Sequence, residues 1–455
     1  MKTTKREALA WARMLSLAVA LSVLLTCCAA QTLDVDGDKI VEVLTRLANF
    51  SDHENPAVTR ILFTPNDMLA RKFVKDLMRE ANLVIREDPM GNIFGRWEGS
   101  DPTAPVVLTG SHTDAIPQAG MYDGTVGVIG AIEAVAALQR AGFRPARPLE
   151  VLMFSSEEPT RFGLSCSGSR ALAGALREEE LEGRRDAEGR HYLQVANEVG
   201  YGAASTSQLL ATSRLPPGAV AHFVELHIEQ GPLLEREGVS IGVVTAIAAP
   251  SALEVVFAGE GGHAGGQLMP DRNDAGLAGA ELALAVEAAV LATGAADTVG
   301  TTGTFEVAPG AVNSVPREAR LGIDIRDIDG PRRDGVVAAV LAAAQEIAEK
   351  RKVRLSSRVL NQDPPATCHP DIVEAVAGAA QQLGLASRRL VSRAYHDALF
   401  MARVAPTGMI FIPCRNGWSH RPDEFASPAD IANGVRVLAL TLARLAGGEW
   451  AKSEL

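Results

Sequence analysis

The sequence predicts an α/β protein with two units: a doubly wound domain on a central, mostly parallel sheet, and an inserted ferredoxin-like α+β domain. An apolar strand pattern at residues 105–112, a helical pattern from Gly124 and a second strand pattern at 149–158 indicate the first unit. Strand, helix and strand in this order form a right-handed crossover between parallel strands. The second unit is indicated by residues 252–362, whose patterns follow the order β-α-β-β-α-β that is typical of a ferredoxin-like unit.

Each element follows from local patterning. Apolar residues recur at helical spacing in 33–50 and 66–80, and 92–99 is strand-like. In the second unit, strands are predicted at 252–262, 298–310, 317–328 and 353–362, and helices at 274–292 and 331–352. We therefore predict an inserted domain at 246–362 and a second domain formed by 31–245 and 363–455.

Composition and charge narrow the class of protein. The 455 residues are 47% hydrophobic and 22% charged, which favours a globular protein with two well-buried cores. The formal net charge is −11 and no stretch is rich in lysine and arginine, so a nucleic-acid or anionic-membrane partner is disfavoured. Three cysteines beyond the N-terminal thirty residues are widely spaced and odd in number, which predicts buried apolar roles: Cys166, Cys368 and Cys414.

The segment 1–30 is predicted to be a signal peptide. Four basic residues (Lys2, Lys5, Arg6 and Arg13) precede an apolar stretch at 14–25, and small residues follow at 28–30. Because the stretch is short for a membrane span, we expect cleavage after Ala30 and no stable membrane association afterwards. The chain would then enter the secretory pathway, with the endoplasmic reticulum favoured over an extracellular or periplasmic location. An uncleaved anchor is the alternative.

Acidic and imidazole side chains end the predicted buried strands. His112 ends the strand pattern at 105–112, and Glu157 and Glu158 end the one at 149–158. In doubly wound sheets, binding and catalytic sites lie beyond the carboxyl ends of the strands. Two adjacent carboxylates after an apolar run are expected to be buried, and burial side by side requires a cation or a shared proton.

Further candidates complete a two-metal hydrolytic centre. Asp123 precedes the helix that starts at Gly124, His227 lies in a strand pattern, and Ser419 and His420 lie just past an apolar strand. Imidazoles, a carboxylate able to bridge two cations and a terminal carboxylate are the ligands that such a centre needs. Taken singly, Asp123 is also compatible with a helix N-cap, and His227 with an ordinary core histidine.

Asp114 follows His112 by two residues and shares its strand-end face. Its carboxylate can accept the imidazole N–H, which would fix the tautomer that leaves the other nitrogen for a metal. A purely structural role for this pair is the alternative.

Five segments together resemble the binuclear metallopeptidase-like amidohydrolases, a family that includes N-carbamoyl-amino-acid hydrolases, allantoate amidohydrolases and ureidoglycolate amidohydrolases. They are GSHTDAIPQAGMYDG, FSSEEPTRFG, ELHIEQGPLLE, GGHAG and SHRPDE, in order along nearly the whole chain after the signal peptide. The resemblance implies a catalytic, metal-binding domain and an inserted domain that serves as dimerisation and lid domain. It also implies two divalent metal ions per subunit, with Mn²⁺ favoured and Zn²⁺, Co²⁺ or Ni²⁺ as alternatives.

The resemblance implies roles for individual residues as well. Asp123 would bridge the two ions, with one histidine pair on the first ion and a Glu-His pair on the second: His112 and His227, then Glu158 and His420. Glu157 would be the general base, and Asp114 would orient His112. Substrate contacts, some of them across a homodimer interface, are implied for Gln230, His263, Asn313 and Arg326. His263, flanked by glycines, is suited to stabilise oxyanion charge, and Arg326 is suited to a substrate carboxylate.

Tyr395 and His396 bear on the choice of substrate. The segment SRAYHDALF has Tyr-His-Asp, as in the ureidoglycolate amidohydrolases, where allantoate and carbamoyl-amino-acid enzymes have Gly-His-Asp. A tyrosine fills pocket volume and offers a hydroxyl, although ordinary packing is the alternative. We therefore expect a small-molecule ureide substrate and metal-dependent hydrolysis of the ureido C–N bond of (S)-ureidoglycolate, leading to glyoxylate, ammonia and CO₂ in purine and allantoin catabolism. Allantoate, N-carbamoyl-L-amino acids, N-acyl amino acids and peptides are the alternative substrates.

Overall fold

The computed structural model describes residues 33–451, so the predicted signal peptide lies outside the described part of the chain. The strands are β1 (Val58–Arg60), β2 (Val84–Glu87), β3 (Ile93–Trp97), β4 (Val106–His112), β5 (Ala115–Ala119), β6 (Phe143–Pro145), β7 (Leu149–Phe154), β8 (Val220–Ile228), β9 (Ile241–Ile247), β10 (Ala249–Ala258), β11 (Gly262–His263), β12 (Val299–Ala308), β13 (Ser314–Val315), β14 (Glu318–Asp327), β15 (Arg354–Gln362), β16 (Ala366–Thr367), β17 (Ser387–Ser392), β18 (Thr407–Ile412) and β19 (Gly448–Trp450). The helices are α1 (Gly37–Ala48), α2 (Pro65–Glu80), α3 (Thr125–Arg140), α4 (Ser167–Leu172), α5 (Glu178–Glu182), α6 (Tyr192–Glu198), α7 (Thr206–Ser213), α8 (Leu233–Glu237), α9 (Ala275–Ala292), α10 (Gly330–Arg351), α11 (Pro370–Gln382), α12 (Ala398–Met401) and α13 (Pro428–Ala446).

The larger sheet has the order β2-β3-β7-β4-β8-β18-β9, and both β16 and β17 pair with β9. Its central strands β7, β4, β8 and β18 are parallel, whereas β3 and β9 run antiparallel to their central neighbours. The predicted mostly parallel central sheet is confirmed. His112 of β4 pairs with Phe154 of β7, and Thr109 pairs with Val224 of β8, so the carboxyl ends of these strands meet at one edge.

Helix α3 packs tightly on this sheet because its sequence is apolar on nearly every side. All of its residues from Thr125 to Ile132 are buried, and α13 packs beside it. Gly127 permits the close approach, since a Cβ there would lie 2.4 Å from the carbonyl oxygen of Leu226 in β8. The first turn of α3 is thereby held at the carboxyl edge of the sheet.

The second sheet is antiparallel and has the order β12-β14-β10-β15. In chain order this is 2-3-1-4, the arrangement of a ferredoxin-like unit, and α9 and α10 pack on one face. Burial alternates along β14, as expected for a sheet with one covered face. The buried side chains of this unit form a core of their own, separate from the core of the larger sheet. The domain limits at 246 and 362 stay a prediction, although β10 begins at Ala249 and β15 ends at Gln362.

Candidate metal centre

The predicted metal ligands converge at the carboxyl edge of the larger sheet. They come from the ends of β4 and β8, the loop after β7, the turn before α3 and the loop after β18: His112, His227, Glu158, Asp123 and His420. They form two groups that share Asp123, one with His112 and His227 and the other with Glu158 and His420. Within each group the candidate ligand atoms lie within 4.8 Å of one another.

Asp123 lies between the two groups with one carboxylate oxygen toward each. Its Oδ1 is 3.1 Å from Nε2 of His227 and 3.8 Å from Nε2 of His112. Its Oδ2 is 3.1 Å from Nε2 of His420, and that nitrogen is also 3.1 Å from Oε1 of Glu158. This is the arrangement in which one carboxylate can bridge two cations.

The structure excludes the simpler readings of these residues. Asp123 does not cap α3, because the N-cap is Gly124 and no side chain makes a capping hydrogen bond there. Gly124 has a φ of 65°, and a Cβ at this position would lie 2.4 Å from Nε2 of His112. His227 is a buried histidine, but its Nε2 faces Asp123 and not an apolar core.

Two backbone carbonyl groups select the imidazole tautomers. Nδ1 of His112 lies 3.1 Å from the carbonyl oxygen of Asp114, and Nδ1 of His227 lies 2.9 Å from that of Ile228. If each Nδ1 carries the proton and donates it to the carbonyl oxygen, each Nε2 presents its lone pair to the centre. In that tautomer both histidines are oriented to bind a metal ion through Nε2.

Asp114 contacts His112 through its backbone carbonyl group, whereas the prediction was a contact through its carboxylate. Its carboxylate is 3.6 Å from Nδ1 of His112, too far for a good hydrogen bond, so the carbonyl oxygen is the acceptor instead. The carboxylate accepts hydrogen bonds from the backbone N–H groups of Glu157, at 3.2 Å, and Glu158, at 3.0 Å. Asp114 therefore connects the end of β4 to the loop that carries both glutamates.

The buried carboxylates of the centre require positive charge nearby. Burial opposes ionisation of Asp123, but hydrogen bonds with His227 and His420 outweigh it and hold the pKa of that carboxyl well below its usual range. Hydrogen bonds with Asp123 and Glu158 raise the pKa of His420 to about 11. Burial raises the pKa of Glu158. Carboxylates packed this closely need positive charge, and the donor set fits two divalent cations.

Glu157 lies beside the ligand groups without belonging to either. Its Oε2 is 3.9 Å from Nε2 of His112, and its carboxyl is buried. Burial raises the pKa of Glu157 well above its usual range, with further contributions from Glu158 and Asp397. The position suits the predicted general base, a role that stays a prediction.

Two residues outside the predicted ligand set support Asp123. Glu424 accepts hydrogen bonds from the backbone N–H groups of Tyr122, at 2.8 Å, and Asp123, at 2.9 Å. The hydroxyl oxygen of Ser419, the residue before His420, lies 2.7 Å from Oδ2 of Asp123 and 2.9 Å from Oε2 of Glu424, so its single proton can be donated to one carboxylate or the other. The sequence shows the carboxylate of Glu424 four residues after His420, but it does not indicate which residue this carboxylate contacts.

A third group of candidate ligand atoms comprises Glu225, His227 and His396. It shares His227 with the centre, and both carboxylate oxygens of Glu225 already accept hydrogen bonds, from the hydroxyl of Ser111 and the N–H of Ala398. We therefore treat Glu225 as a structural neighbour of the centre and not as a ligand of a third ion.

The predicted substrate contacts divide into two sets. Gln230, Arg326 and Tyr395 line a cavity of about 300 Å³ together with the metal-centre residues. His396 is buried against His227, with Nε2 2.9 Å from the Ser392 hydroxyl, and does not line the cavity. His263 on β11 and Asn313, the residue before β13, are exposed in the unit of the second sheet and do not line this chain's cavity either.

Comparison with known proteins agrees with this geometry. A model of Peptidase family M20/M25/M40 matches residues 108–444, which include every candidate ligand. The chain belongs to this family. Among M20/M25/M40 relatives, it is 53% identical over 419 residues to a ureidoglycolate hydrolase of Arabidopsis thaliana, covering 91% of this chain and 88% of the relative. It is 38% identical over 420 residues to an N-carbamoyl-L-amino acid amidohydrolase of Geobacillus stearothermophilus, covering 91% of this chain and 100% of the relative.

Solved structures extend the likeness to the fold. The crystal structures of AtUAH in complex with (S)-hydroxyglycine and with glyoxylate each match with a TM-score of 0.83 at 53% sequence identity. Each match covers 92% of this chain and 99% of the solved chain. Both units of this M20/M25/M40 member therefore have counterparts in the solved fold.

Proposed function

We propose that this protein hydrolyses the ureido C–N bond of (S)-ureidoglycolate in purine and allantoin catabolism. The observation that carries the proposal is the pair of ligand groups joined by Asp123, with Glu157 beside them, in a chain 53% identical to a ureidoglycolate hydrolase. Loss of ammonia and CO₂ from the ureido group of this substrate leaves hydroxyglycine, and loss of the second ammonia gives glyoxylate. These are the two molecules bound in the AtUAH structures.

The residues divide the chemistry among them. When bound, two divalent cations, with Mn²⁺ favoured, would supply Lewis acidity that polarises the ureido carbonyl and lowers the pKa of water. Glu157 takes a proton from the attacking water and returns it to the departing nitrogen. Asp114 holds the loop of Glu157 at the sheet edge through its two backbone hydrogen bonds.

Polar groups in the cavity suit the substrate. The amide nitrogen of Gln230 donates to Asp123 and Ser419, whereas its buried carbonyl oxygen has no partner among the described residues. That oxygen can accept a hydrogen bond from a ureido N–H. Arg326 donates to both carboxylate oxygens of Asp324, at 2.8 and 3.2 Å, and its guanidinium also lines the cavity. A substrate carboxylate would share this guanidinium with Asp324.

We infer a homodimer formed through the unit of the second sheet. Three exposed leucines recur every seven residues on α9: Leu277 is 44% exposed, Leu284 68% and Leu291 72%. By length and composition α9 is also the helix, among residues 33–451, that could cross a membrane, yet its opposite face packs on the second sheet. An apolar stripe beside the unpaired edge strand β12 is typical of an interface between copies. His263 and Asn313 would then reach the partner's cavity.

N-carbamoyl-L-amino acids and allantoate are the second candidate substrates. They are supported by the 38% identity to an N-carbamoyl-L-amino acid amidohydrolase and by 32% identity over 423 residues to a probable allantoate deiminase of Oryza sativa subsp. japonica. The test is ammonia release from (S)-ureidoglycolate, allantoate and an N-carbamoyl-L-amino acid by protein depleted of metal and reloaded with Mn²⁺, Zn²⁺, Co²⁺ or Ni²⁺. We expect the highest kcat/KM for (S)-ureidoglycolate with Mn²⁺. Faster turnover of either other substrate would overturn the assignment.

Entry into the secretory pathway remains part of the proposal, on the strength of the basic and apolar N-terminal pattern. N-terminal sequencing of the protein purified from its natural source tests it. A mature chain that begins after Ala30 is expected, and a retained apolar segment would contradict it.

A further inference from the structure

The loop that carries Glu157 is joined to the start of α4 by consecutive backbone hydrogen bonds. The N–H groups of Cys166, Ser167 and Gly168 donate to the carbonyl oxygens of Glu157, Ser156 and Ser155, at 2.7, 2.9 and 2.8 Å. The two segments are therefore paired, and the residue directly opposite Glu157 is Cys166.

The backbone on both sides of this contact is in an uncommon conformation. Ser156 has a φ of 56° and Cys166 a φ of 55°, in the left-handed region that favours glycine. Such conformations cost free energy and persist where the surroundings hold them in place, often at functional sites. Here they turn the side chains of Glu157 and Cys166 toward each other.

The thiol of Cys166 contacts the carboxylate of Glu157. The sulfur lies 3.3 Å from Oε1, within the range for a sulfur donor, and Cys166 is fully buried. Burial raises the pKa of the thiol well above its usual range, so the sulfur keeps the proton that it can donate. The other oxygen of Glu157, Oε2, faces the metal centre, 3.9 Å from Nε2 of His112.

We propose that Cys166 is a positioning residue for the general base: its S–H group donates to Oε1 of Glu157 and so directs Oε2 at the metal centre. The inference rests on the proposed function, in which Glu157 carries the proton. It assigns Cys166 a polar role, whereas the sequence predicted only apolar burial. Because Cys166 does not line the cavity, it should affect proton transfer and not substrate binding.

The test compares Cys166→Ala with Cys166→Ser, and uses Cys368→Ala as the matched control. Cys368 is also a buried, free cysteine, but it lies beside Thr245 and away from Glu157. We expect Cys166→Ala to lower kcat on (S)-ureidoglycolate on the order of tenfold, the loss of one hydrogen bond to a charged group. KM and the content of two metal ions should not change. Cys166→Ser keeps a donor and should recover most of kcat, and Cys368→Ala should retain it. Equal losses in the alanine and serine variants, or none in either, would overturn the proposal.

Two measurements separate this inference from the proposed function. In a Glu157→Gln background, Cys166→Ala should cause no further loss, because the two residues act as a unit. The infrared S–H stretching band that Cys166→Ser removes should shift in Glu157→Gln protein, while the band of Cys368 stays in place. The band reports the thiol contact even if the substrate proves to be another ureide or the alanine variant does not fold. If the Cys166 band does not shift in Glu157→Gln protein, the inference about Cys166 is wrong and the proposed function is unaffected.

Discussion

The hydroxyl of Tyr395 donates a hydrogen bond to Oδ2 of Asp363, with the two oxygens 2.6 Å apart. Arg170 reaches the same phenol oxygen at 2.6 Å and pairs with both oxygens of the carboxylate. The sequence suggested that this hydroxyl could contact a substrate. In the structure it is already engaged within the protein and is not free to do so. Tyr395 also lines the cavity, so it can still act on a substrate through the volume of its side chain.

This contact makes the effect of Tyr395 on substrate choice one of volume. Tyr395→Gly should lower turnover of (S)-ureidoglycolate and raise the relative rate on allantoate, because removing the ring makes room for a second ureido group. Steric discrimination limits the change to roughly ten to two-hundred-fold. Tyr395→Phe keeps the ring and should keep the preference. The ratio of kcat/KM for the two substrates is the measurement. A glycine variant with the wild-type ratio would show that the pocket is set elsewhere.

Asp363 should contribute to stability in a pH-dependent way. Burial opposes its ionisation, but Arg170, Tyr395 and Arg403 outweigh burial and hold the pKa of the carboxyl below its usual value. A lowered pKa means that the stabilisation is present above the unfolded pKa, about 4, and is lost as the pH falls through the folded pKa. Asp363→Asn leaves buried arginine charge without its partner, so we expect it to lower the free energy of unfolding at pH 7 by about 3–5 kcal/mol.

Urea unfolding of metal-free wild type and Asp363→Asn at pH 7 and pH 3 measures this, because removing the metal first excludes acid release of ions as a cause. The difference between the two proteins should shrink at pH 3. Asp371→Asn is the matched control, since the side chain of Asp371 is 82% exposed. A difference that stays constant between the two pH values would contradict the ion-pair explanation.

The general base and the ligands should separate by metal content. Glu157→Gln preserves shape but cannot take a proton, so it should keep two ions and lose turnover by a factor of about 10²–10⁴. Glu158→Ala and Asp123→Ala should lose metal first. Elemental analysis after gel filtration distinguishes them. Loss of both ions in Glu157→Gln would make Glu157 a ligand, and full occupancy in either alanine variant would reject that ligand.

The convergence of the candidate ligands could be predicted from the sequence because each of them lies beside a recognisable element. His112 and His227 end or nearly end buried strands, and Asp123 lies two residues before the first residue of the apolar helix α3. The direction of a single side chain was harder to predict. Whether His112 bonds the carboxylate or the carbonyl group of Asp114 depends on about half an ångström.

Individual contacts outside the predicted metal centre could not be predicted from the sequence. Tyr395 and Asp363 come together where the chain returns from the second sheet to the larger one. Glu424 contacts the backbone of Asp123, which lies about three hundred residues earlier in the sequence. The short helices α4 to α7 were also missed, because segments of five to eight residues carry too little periodicity to be recognised. Their apolar side chains belong to a small core that is separate from the core of the larger sheet.

The proposed homodimer can be tested by a substitution at Leu284. Leu284→Glu places a charge in the exposed α9 stripe, so it should convert a dimer to a monomer without unfolding the chain, because the side chain is 68% exposed. Leu69→Glu is the matched control: Leu69 is 50% exposed on α2, outside the second sheet's unit. Sedimentation velocity measures the mass, and we expect only Leu284→Glu to lower it.

If each cavity is completed by the partner's His263, a variant that becomes a monomer should also lose activity. His263→Ala and Glu157→Gln proteins, each inactive, should then regain activity when mixed under subunit exchange, because a heterodimer contains one cavity with both an intact Glu157 and an intact partner's His263. One intact site in a heterodimer predicts recovery of about a quarter of the wild-type rate in a statistical mixture, since half of the dimers are mixed and each has one working site of two. Heterodimers that form and stay inactive would place His263 outside the shared site, and a wild-type protein that sediments as a monomer would remove the interface altogether.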